Sequence, residues 1–241
     1  MVTGAARGIG RACAVRLAHD GADLVLNDLE ASEALRTLSN EIEGMGRRVL
    51  LAPADVSDSR ALKGVFTEIK AKFGRLDVLV NNAAWSARKP FLEQSEEDMR
   101  RTLDVSLWGG IICAQHAARL MLGRGGSMVM ISSVHAERPY PEAALYNAAK
   151  AGTNHFALSL ANELAEKGIR VNVIEPGWID TPGERRYNSE EQMVQRQAVL
   201  PMKRLGTAAE IASAVAWLCS DEQCYVTGTV LRVDGGFALR F

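Results

Sequence analysis

Three side chains in the middle of the sequence have the types and spacing that proton transfer requires. Tyr146 and Lys150 are four residues apart in "YNAAK", which places them on one face of a helix. A tyrosine pKa starts near 10 and must approach about 7 before the phenol acts as acid or base, a change of roughly 4 kcal/mol. One ammonium at about 4 Å in a partly shielded site supplies a similar amount. We therefore expect Lys150 to lower the pKa of Tyr146.

Ser133 completes this candidate catalytic set. It stands thirteen residues before Tyr146, immediately after the apolar run "SMVMIS". A hydroxyl at the carboxyl end of a strand, beside a tyrosine on a helix, can polarise a substrate carbonyl. The YxxxK spacing by itself is common and equally fits an exposed helix surface, so the prediction depends on Ser133 and on the nucleotide segment described next.

A glycine-rich segment, "TGAARGIG", begins at Thr3 and leads into a helix predicted over 11–20. Its glycines allow a tight turn and a close approach of a pyrophosphate, while the helix start offers free N–H groups and a positive dipole end. The pattern alone also fits an ordinary glycine-rich turn. The cofactor-binding residues predicted in this segment are Gly4, Arg7, Gly8, Ile9 and Gly10.

Asp28 lies eighteen residues after Gly10, at the end of the next predicted strand. Dinucleotide-binding folds place an acidic residue about 20 residues after the glycine segment, on the adenosine ribose. A carboxylate there accepts a hydrogen bond from a 2′-hydroxyl and repels a 2′-phosphate, which favours NAD. Arg7 is the opposing observation, because it can reach a 2′-phosphate and keeps NADP possible. A solvated turn residue is the alternative interpretation of Asp28.

The elements that position these residues alternate regularly along the chain. Continuous apolar runs, typical of strands covered on both faces, are predicted over 22–28, 48–56, 76–84, 125–133, 169–177 and 228–236. Helical stretches follow at 11–20, 31–46, 59–74 and 146–167. This order predicts an α/β fold, a Rossmann-type doubly wound parallel sheet in a single domain over 1–241. The polar segment 182–206 interrupts the alternation and is a candidate substrate lid.

The composition narrows the class of protein. The net charge of −1 gives no basic surplus for nucleic acid or an anionic membrane, and no apolar run is long enough for a bilayer span. Four scattered cysteines, without metal-ligand spacing, are typical of reduced thiols, so we expect a cytoplasmic protein with no metal site. The expected partner is a small molecule, with neither nucleic acid nor membrane.

The motifs, taken in this order, closely resemble those of the short-chain dehydrogenase/reductase family over essentially the whole chain. "TGAARGIG", "NNAA", "PGWIDT", "YVTG" and "VDGG" resemble its conserved segments, and Ser133, Tyr146 and Lys150 match its catalytic serine, tyrosine and lysine. The resemblance implies hydride transfer between NAD(P) and an alcohol or carbonyl carbon. It also implies a homotetramer or homodimer, with the Tyr146 helix and the C-terminal "DGGFALRF" in interfaces.

The resemblance assigns further cofactor contacts. Asp55 and Val56 match the adenine pocket, and Ile179 and Thr181 match the residues that hold the nicotinamide carboxamide. Lys150 also matches the residue that holds the nicotinamide ribose. The remaining implied cofactor contacts are Asn82, Ala83, Ala84, Tyr146, Pro176 and Gly177.

The sequence departs from the family pattern at three places. Ser106 stands where the family usually has an asparagine that steadies a water linking the lysine to solvent; a substitute relay role and a plain helix serine are equally open. Ala84 replaces a glycine and is strained only if that position needs a positive φ. Met1 and Val2 are all that precedes the glycine segment, so we expect a truncated first strand that survives as a stub, with a shortened start as the cause.

Substrate clues lie in the loop "SSVHAERPYPEAALY", which resembles the glucose-dehydrogenase-like branch. His135 is predicted near the site mouth and Trp178 in the pocket, although a surface histidine and a tryptophan packed on the lid fit equally well. We expect an NAD-preferring enzyme for a secondary alcohol or ketone, a sugar or polyol. A 3-oxoacyl-thioester-type reductase is the alternative. A weakly catalytic nucleotide-binding regulatory protein is an alternative of another class.

Overall fold

Short apolar runs form the strands in a computed structural model, which describes residues 1–240; Phe241, the last residue of the predicted interface segment and domain, lies outside the described residues. The strands are β1 (Leu24–Leu26), β2 (Val49–Leu51), β3 (Val78–Asn81), β4 (Gly126–Ile131), β5 (Ile169–Pro176), β6 (Ile179–Asp180), β7 (Gly206–Thr207) and β8 (Val230–Val233). β1 pairs with β2, while β3, β4, β5 and β8 pair in that order, all in parallel.

The residues in front of the glycine segment join these two groups of strands. Val2 forms parallel bridges to Leu26 of β1 and to Val80 of β3. Its N–H donates to the Val25 carbonyl at 2.9 Å, and the Val80 N–H donates to the Met1 carbonyl at 2.8 Å. The predicted stub of a first strand is therefore present, and backbone groups of both neighbours keep partners there. The resulting strand order is that of a doubly wound dinucleotide-binding sheet, as predicted.

Two apolar cores lie on opposite faces of this sheet. Helices α1 (Gly8–His19), α2 (Glu33–Gly44) and α8 (Ala208–Cys219) contribute to one core. Helices α3 (Ser59–Phe73), α5 (Gly109–Met121) and α6 (Ala144–Leu164) contribute to the other. Successive residues of β1 divide between them, with Leu24 and Leu26 in the first core and Val25 in the second. This two-sided burial explains why the strand runs are continuously apolar.

The helix bounds differ from the predicted ones where a cap or turn intervenes. α1 starts at Gly8, inside the glycine segment, and α6 ends at Leu164 in a 3₁₀ turn, Ala165–Lys167. The sequence pattern does not predict a helix over 96–121 or 208–219. The structure places α4 (Glu96–Leu103) there, then a π-helical turn, Asp104–Trp108, and α5 in the first range, and α8 in the second.

The segment 182–206 is a compact excursion from the sheet. β6 and β7 pair in parallel where it leaves and returns, and it contains a 3₁₀ turn, Glu184–Arg186, and helix α7 (Glu190–Val199). A capping box of Ser189 and Gln192 starts α7. Met193, Leu200 and Leu205 are buried in a small cluster with Val134 and Phe237. No helix among residues 1–240 has the length and apolar character needed to cross a membrane.

Candidate active site

The carboxyl ends of the strands open into one cleft of about 470 Å³. Most of the predicted site residues line it, from the glycine segment to the start of α6. They are Gly4, Arg7, Gly8, Ile9, Asp28, Asp55, Val56, Asn82, Ala83, Ala84, Ser133, Tyr146, Lys150, Pro176, Gly177, Ile179 and Thr181. Four predicted residues, Gly10, Ser106, His135 and Trp178, are not in this lining.

The glycine segment forms a bare helix start. No side chain caps the beginning of α1, where Arg7 is the N-cap residue, so the first N–H groups of the helix face the cleft without a side-chain acceptor. Gly8 has a φ of 56° and would be strained as any other residue. A Cβ on Gly10 would lie 2.1 Å from the Gly4 carbonyl oxygen. Gly10 therefore packs behind the loop, while Gly4, Gly8 and Ile9 line the cleft.

Asp28 follows β1 and joins the glycine segment to the rim of the cleft. Its Oδ2 accepts a hydrogen bond from the Ala6 N–H at 2.9 Å, and its Oδ1 accepts one from the Leu29 N–H at 2.9 Å. Each carboxylate oxygen keeps a second lone pair for a ribose hydroxyl. Arg7, across the same cleft, is exposed and has no ion pair within residues 1–240.

A residue that sequence reasoning missed holds this half of the site together. The hydroxyl of buried Thr3 accepts hydrogen bonds from the N–H groups of Asn82 at 2.9 Å and Ala83 at 3.0 Å. The Asn82 side-chain amide returns a bond to the Thr3 carbonyl at 2.9 Å. The sequence feature that indicates this role is the position of Thr3 directly before the first glycine of the segment. Ala84 is outside the set of residues with positive φ, so its methyl group causes no backbone strain.

The residues predicted for the adenine and nicotinamide ends of the cleft both follow strands. The Oδ1 atom of Asp55 accepts bonds from the N–H and the hydroxyl of Ser57, at 2.8 and 2.6 Å, which leaves Oδ2 without a donor among the described residues. Gly177 admits no side chain, because a Cβ there would lie 2.6 Å from the Asp234 Cα. The Thr181 hydroxyl accepts a hydrogen bond from the Glu184 N–H at 3.3 Å, at the start of the segment 182–206.

Lys150 is a buried cation at the floor of the cleft. Its side chain is among the buried polar groups, and its Nζ donates to the Ile131 carbonyl at 2.7 Å. The same Nζ lies 5.4 Å from the centroid of the Tyr146 ring. Burial lowers the pKa of Lys150 from 10.5 to about 8. The ammonium is therefore still protonated at neutral pH.

The protein groups by themselves do not activate Tyr146. Burial raises its pKa to about 12, against smaller lowering effects of Arg88 and of a hydrogen bond with Ser133; Glu184 raises it further. The expectation that Lys150 alone lowers this pKa is wrong. The physical reason is that the cost of burying a phenolate exceeds the stabilisation from nearby cations, and the Lys150 ammonium donates to a backbone carbonyl instead.

Ser106 lies in the π-helical turn and is bonded away from Lys150. Its hydroxyl donates to the Trp85 carbonyl at 2.7 Å and accepts the Trp85 N–H at 2.9 Å. Both bonds fix the backbone of the loop that follows β3, and Ser106 is itself buried. These contacts favour a structural role over the relay role that the sequence left open.

The two predicted substrate residues pack beside the cleft. The ring of His135 stacks on Tyr140 with centroids 4.1 Å apart and meets the Tyr146 ring edge-on at 5.4 Å, and its Nδ1 is 2.8 Å from the Asn147 Oδ1. Burial lowers the His135 pKa, so the ring is neutral at pH 7. Trp178 packs against Phe237, with centroids 5.0 Å apart, and lies under the guanidinium of Arg196 on α7.

The residues of the cleft fit a nicotinamide dinucleotide. The bare helix start suits a pyrophosphate, the Asp28 carboxylate suits a ribose, and Asp55 keeps a carboxylate oxygen without a protein donor. When bound, such a cofactor supplies the hydride acceptor or donor that the protein side chains lack. No cluster of three or more His, Cys, Asp or Glu side chains within residues 1–240 is arranged to hold a metal ion.

This sheet, cleft and side-chain set define a dinucleotide-dependent oxidoreductase, and comparison with known proteins gives its family. A sequence profile described as enoyl-(acyl carrier protein) reductase, of the short-chain dehydrogenase type, matches residues 4–238. The chain belongs to the short-chain dehydrogenase/reductase family. It is accordingly a dehydrogenase/reductase that acts on CH–OH groups. Members of the family use NADH or NADPH.

Three relatives illustrate the similarity. The chain is 36% identical over 242 residues to 3beta-hydroxysteroid dehydrogenase 1 of Eggerthella lenta, covering 99% of this chain and 93% of that protein. It is 37% identical over 243 residues to glucose 1-dehydrogenase 2 of Bacillus subtilis, covering 99% and 94%. The crystal structure of a putative short-chain alcohol dehydrogenase from Sinorhizobium meliloti superposes with a TM-score of 0.94 at 34% identity, covering 100% of this chain and 96% of that one.

Proposed function

We propose that this protein transfers hydride between NAD and the carbon of a secondary alcohol or ketone, and that the substrate is a sugar or polyol. The observation that carries the proposal is that Ser133, Tyr146 and Lys150 line one cleft with the glycine segment. Ser133 steadies the substrate oxygen, Tyr146 exchanges the hydroxyl proton, and Lys150 places a positive charge below the tyrosine ring. The cationic oxidised nicotinamide adds to that charge and favours the phenolate.

Preference for NAD rests on Asp28. Its carboxylate is in the lining of the cleft, and its bond to the Ala6 N–H holds it beside the glycine segment. A 2′-phosphate would meet this negative charge at close range, whereas a 2′-hydroxyl would donate to it. Arg7 is the residue that lets NADP bind at lower affinity.

Three observations support a sugar or polyol. The loop from Ser132 to Tyr146 resembles the glucose-dehydrogenase-like branch, and one relative is named glucose 1-dehydrogenase 2. Trp85 and Ser86 line the substrate side of the cleft and offer an aromatic face and a hydroxyl to a polyhydroxylated ligand. His135 supports this site by packing on the Tyr146 ring, and Trp178 supports it by holding α7.

A 3-oxoacyl-thioester reductase is the second candidate. The description of the matching family profile, an acyl-carrier-protein reductase, favours it. Asp28 opposes the NADPH dependence that usually accompanies this activity. A regulatory protein without catalysis is opposed by the complete set of Ser133, Tyr146 and Lys150.

We further infer the arrangement of the chain around this site. One domain carries the whole cleft, and the segment 182–206 acts as its lid, since Gly183, Glu184 and Tyr187 line the cleft while β6 and β7 hold the segment's ends. Exposed apolar side chains, among them Trp108, Tyr225 and Leu239, support a homodimer or homotetramer. Light scattering during gel filtration tests the oligomer directly.

A substrate panel tests the proposed function. The protein is mixed with NAD or NADP and with sugars, polyols, simple secondary alcohols and 3-hydroxyacyl thioesters, and the reduced cofactor is followed by absorbance. We expect the highest kcat/KM with NAD and a polyhydroxylated substrate. A higher value with a 3-hydroxyacyl thioester would favour the second candidate, and tight NAD binding without turnover of any compound would favour a regulatory protein.

A further inference from the structure

We propose that the substrate carries a carboxylate, and that Arg186 and Arg88 bind this group on the lid side of the cleft. The favoured substrate is then a hydroxy acid of the sugar or polyol class, oxidised at a secondary hydroxyl to the oxo acid. This inference rests on the proposed function, because it assigns a substrate class to the same cleft. Hydride is transferred from the carbinol carbon to NAD, and the hydroxyl proton is transferred to the Tyr146 phenolate.

Positive charge is concentrated on the substrate side of the cleft. Three arginines and one carboxylate line it beyond Ala84 and Thr181, namely Arg88, Arg101, Arg186 and Glu184. The protein as a whole has a net charge of −1, so this positive excess is local. A concave site lined with one sign of charge concentrates ligands of the other sign. A neutral polyol gains nothing from such a field.

Arg88 is held in place by an ion pair and a ring contact. Its guanidinium pairs with both carboxylate oxygens of Glu184, with an Nη2–Oε1 distance of 2.5 Å and an Nη1–Oε2 distance of 3.3 Å, and stacks on the Tyr187 ring at 4.4 Å. The backbone of Arg88 has a φ of 43°, unusual for a residue other than glycine. These contacts fix the cation in the cleft lining, and its Nε–H has no acceptor among the described residues. A ligand carboxylate can accept a hydrogen bond from this N–H.

The adjacent residues Arg185 and Arg186 differ in whether they form ion pairs. Arg185 pairs with Asp180 at 2.7 Å and with Glu190 at 3.0 Å, and it lies outside the cleft lining. Arg186 lines the cleft and has no ion pair with any residue in 1–240. A guanidinium presents paired N–H donors that match a carboxylate in two-point fashion. Arg186 is therefore a cation available to a ligand, while Arg185 is occupied by two carboxylates of its own segment.

The position of these cations favours a carboxylate on a short substrate. Arg88, Glu184 and the Tyr146 phenol all line the same cleft. The phosphate of a pantetheine arm lies far from the thioester carbonyl and would not reach this place during reduction of an acyl thioester. The remaining alternative is that Arg186 contacts the cofactor diphosphate, and the experiment separates the two roles.

The experiment compares substrates that differ in the charged group, using an aldonic acid against its alditol, and 3-hydroxybutyrate against 2-butanol. kcat/KM with NAD is measured for the unchanged protein and for Arg186→Gln, Arg88→Lys and the control Arg185→Gln, with sodium chloride matching the ionic strength of the acid salts. We expect the acid of each pair to be preferred at least tenfold. Arg186→Gln should lower kcat/KM about 10- to 100-fold for the acids and less than about threefold for the neutral compounds.

The Arg185→Gln control should leave both ratios unchanged. Arg88→Lys should weaken the preference for the acids, since an ammonium cannot keep the paired contact with Glu184 that holds the cation in the cleft. Equal kcat/KM for acid and neutral partners in the unchanged protein would overturn the proposal. A loss of NADH affinity in Arg186→Gln that equals its loss of kcat/KM would overturn it in favour of the diphosphate role.

A binding measurement separates failure of this inference from failure of the proposed function. The fluorescence of bound NADH is titrated with gluconate and with sorbitol, and this readout needs no turnover. Gluconate binding that is lost in Arg186→Gln supports the carboxylate site even if no compound in the panel reacts. Binding that is absent for gluconate, or equal for gluconate and sorbitol, overturns it whatever the activity.

Discussion

Ser106 and Trp85 are joined by two hydrogen bonds through a single hydroxyl. The Ser106 Oγ donates to the Trp85 carbonyl at 2.7 Å and accepts the Trp85 N–H at 2.9 Å. One side chain thus satisfies both backbone groups at the start of the loop that carries Arg88 into the cleft. Ser106, for which the sequence left a proton-relay role open, anchors this loop instead.

We predict that Ser106→Ala lowers the free energy of unfolding by about 1–3 kcal/mol, because two backbone groups lose their partner in a partly buried place. Chemical denaturation with urea measures this value. KM for the alcohol should rise, since the loop loses its anchor. Unchanged stability, together with a rate lost at pH 7 and recovered at high pH, would instead show that the hydroxyl relays protons.

Asp28 is predicted to set the choice of cofactor. Asp28→Ala should raise the ratio of kcat/KM for NADP to that for NAD about tenfold or more, because a repulsive charge next to the 2′-position is removed. The ratio is the appropriate readout, since loss of the Ala6 hydrogen bond perturbs the glycine segment for both cofactors alike. Asp28→Asn serves as a second variant that keeps one acceptor oxygen. An unchanged ratio in both variants would remove Asp28 from this role.

Gly10 is predicted to be irreplaceable for packing reasons alone. In Gly10→Ala the new Cβ would lie 2.1 Å from the Gly4 carbonyl oxygen, so the glycine segment must move and NADH affinity should fall more than tenfold. Gly64→Ala is the matched control, because no atom lies within 4 Å of a Cβ there and the residue is in the middle of α3. The control should be about 0.5–1 kcal/mol more stable. NADH binding is measured by fluorescence, and tight binding by Gly10→Ala would refute the packing argument.

Lys150 is predicted to be kept at a cost in stability. Burial lowers its pKa from 10.5 to about 8, so the folded protein holds a disfavoured charge at pH 7. We therefore expect the free energy of unfolding of Lys150→Met at pH 7 to be about 1–3 kcal/mol higher than that of the unchanged protein. This figure already allows for the lost hydrogen bond to the Ile131 carbonyl, and the variant should lose activity.

The pH dependence of this difference has a definite sign. Between about pH 8 and 10.5 the unfolded lysine keeps a proton that the folded one has released, so the unfolding free energy of the unchanged protein rises with pH. The advantage of Lys150→Met should be largest below pH 8 and shrink towards pH 10.5. Thermal unfolding at several pH values measures it, and a variant less stable at pH 7 would contradict the assignment.

Much of the fold and of the cofactor half of the site follows from local sequence patterns. Continuous apolar runs indicate strands with two covered faces, and the glycine segment and Asp28 are separated by a spacing that the strand–helix–strand unit fixes. The stub at Val2 could be predicted because a central strand cannot leave its neighbours without partners. Short helices next to irregular turns, such as α4 beside the π-helical turn, carried no such pattern.

The substrate half depends on contacts between distant segments, which no local pattern reports. Arg88 and Glu184 are 96 residues apart, and only the fold shows that they pair while Arg186 does not. Glu175, which precedes the predicted cofactor contacts Pro176 and Gly177, is fully buried and bonded to Asn154 at 2.6 Å, a contact that no local pattern predicts. The raised pKa of Tyr146 was also beyond the sequence, because it depends on how deeply the phenol is buried.

The central claim is that Tyr146 exchanges the proton during hydride transfer, and Tyr146→Phe tests it most directly. Turnover with NAD and the best substrate of the panel is measured beside NADH binding, with Tyr225→Phe as a control at a fully exposed tyrosine. The account predicts that Tyr146→Phe lowers kcat about 10²- to 10⁴-fold with NADH affinity within about threefold, and that the control is unaffected. A Tyr146→Phe enzyme that keeps its kcat would contradict it.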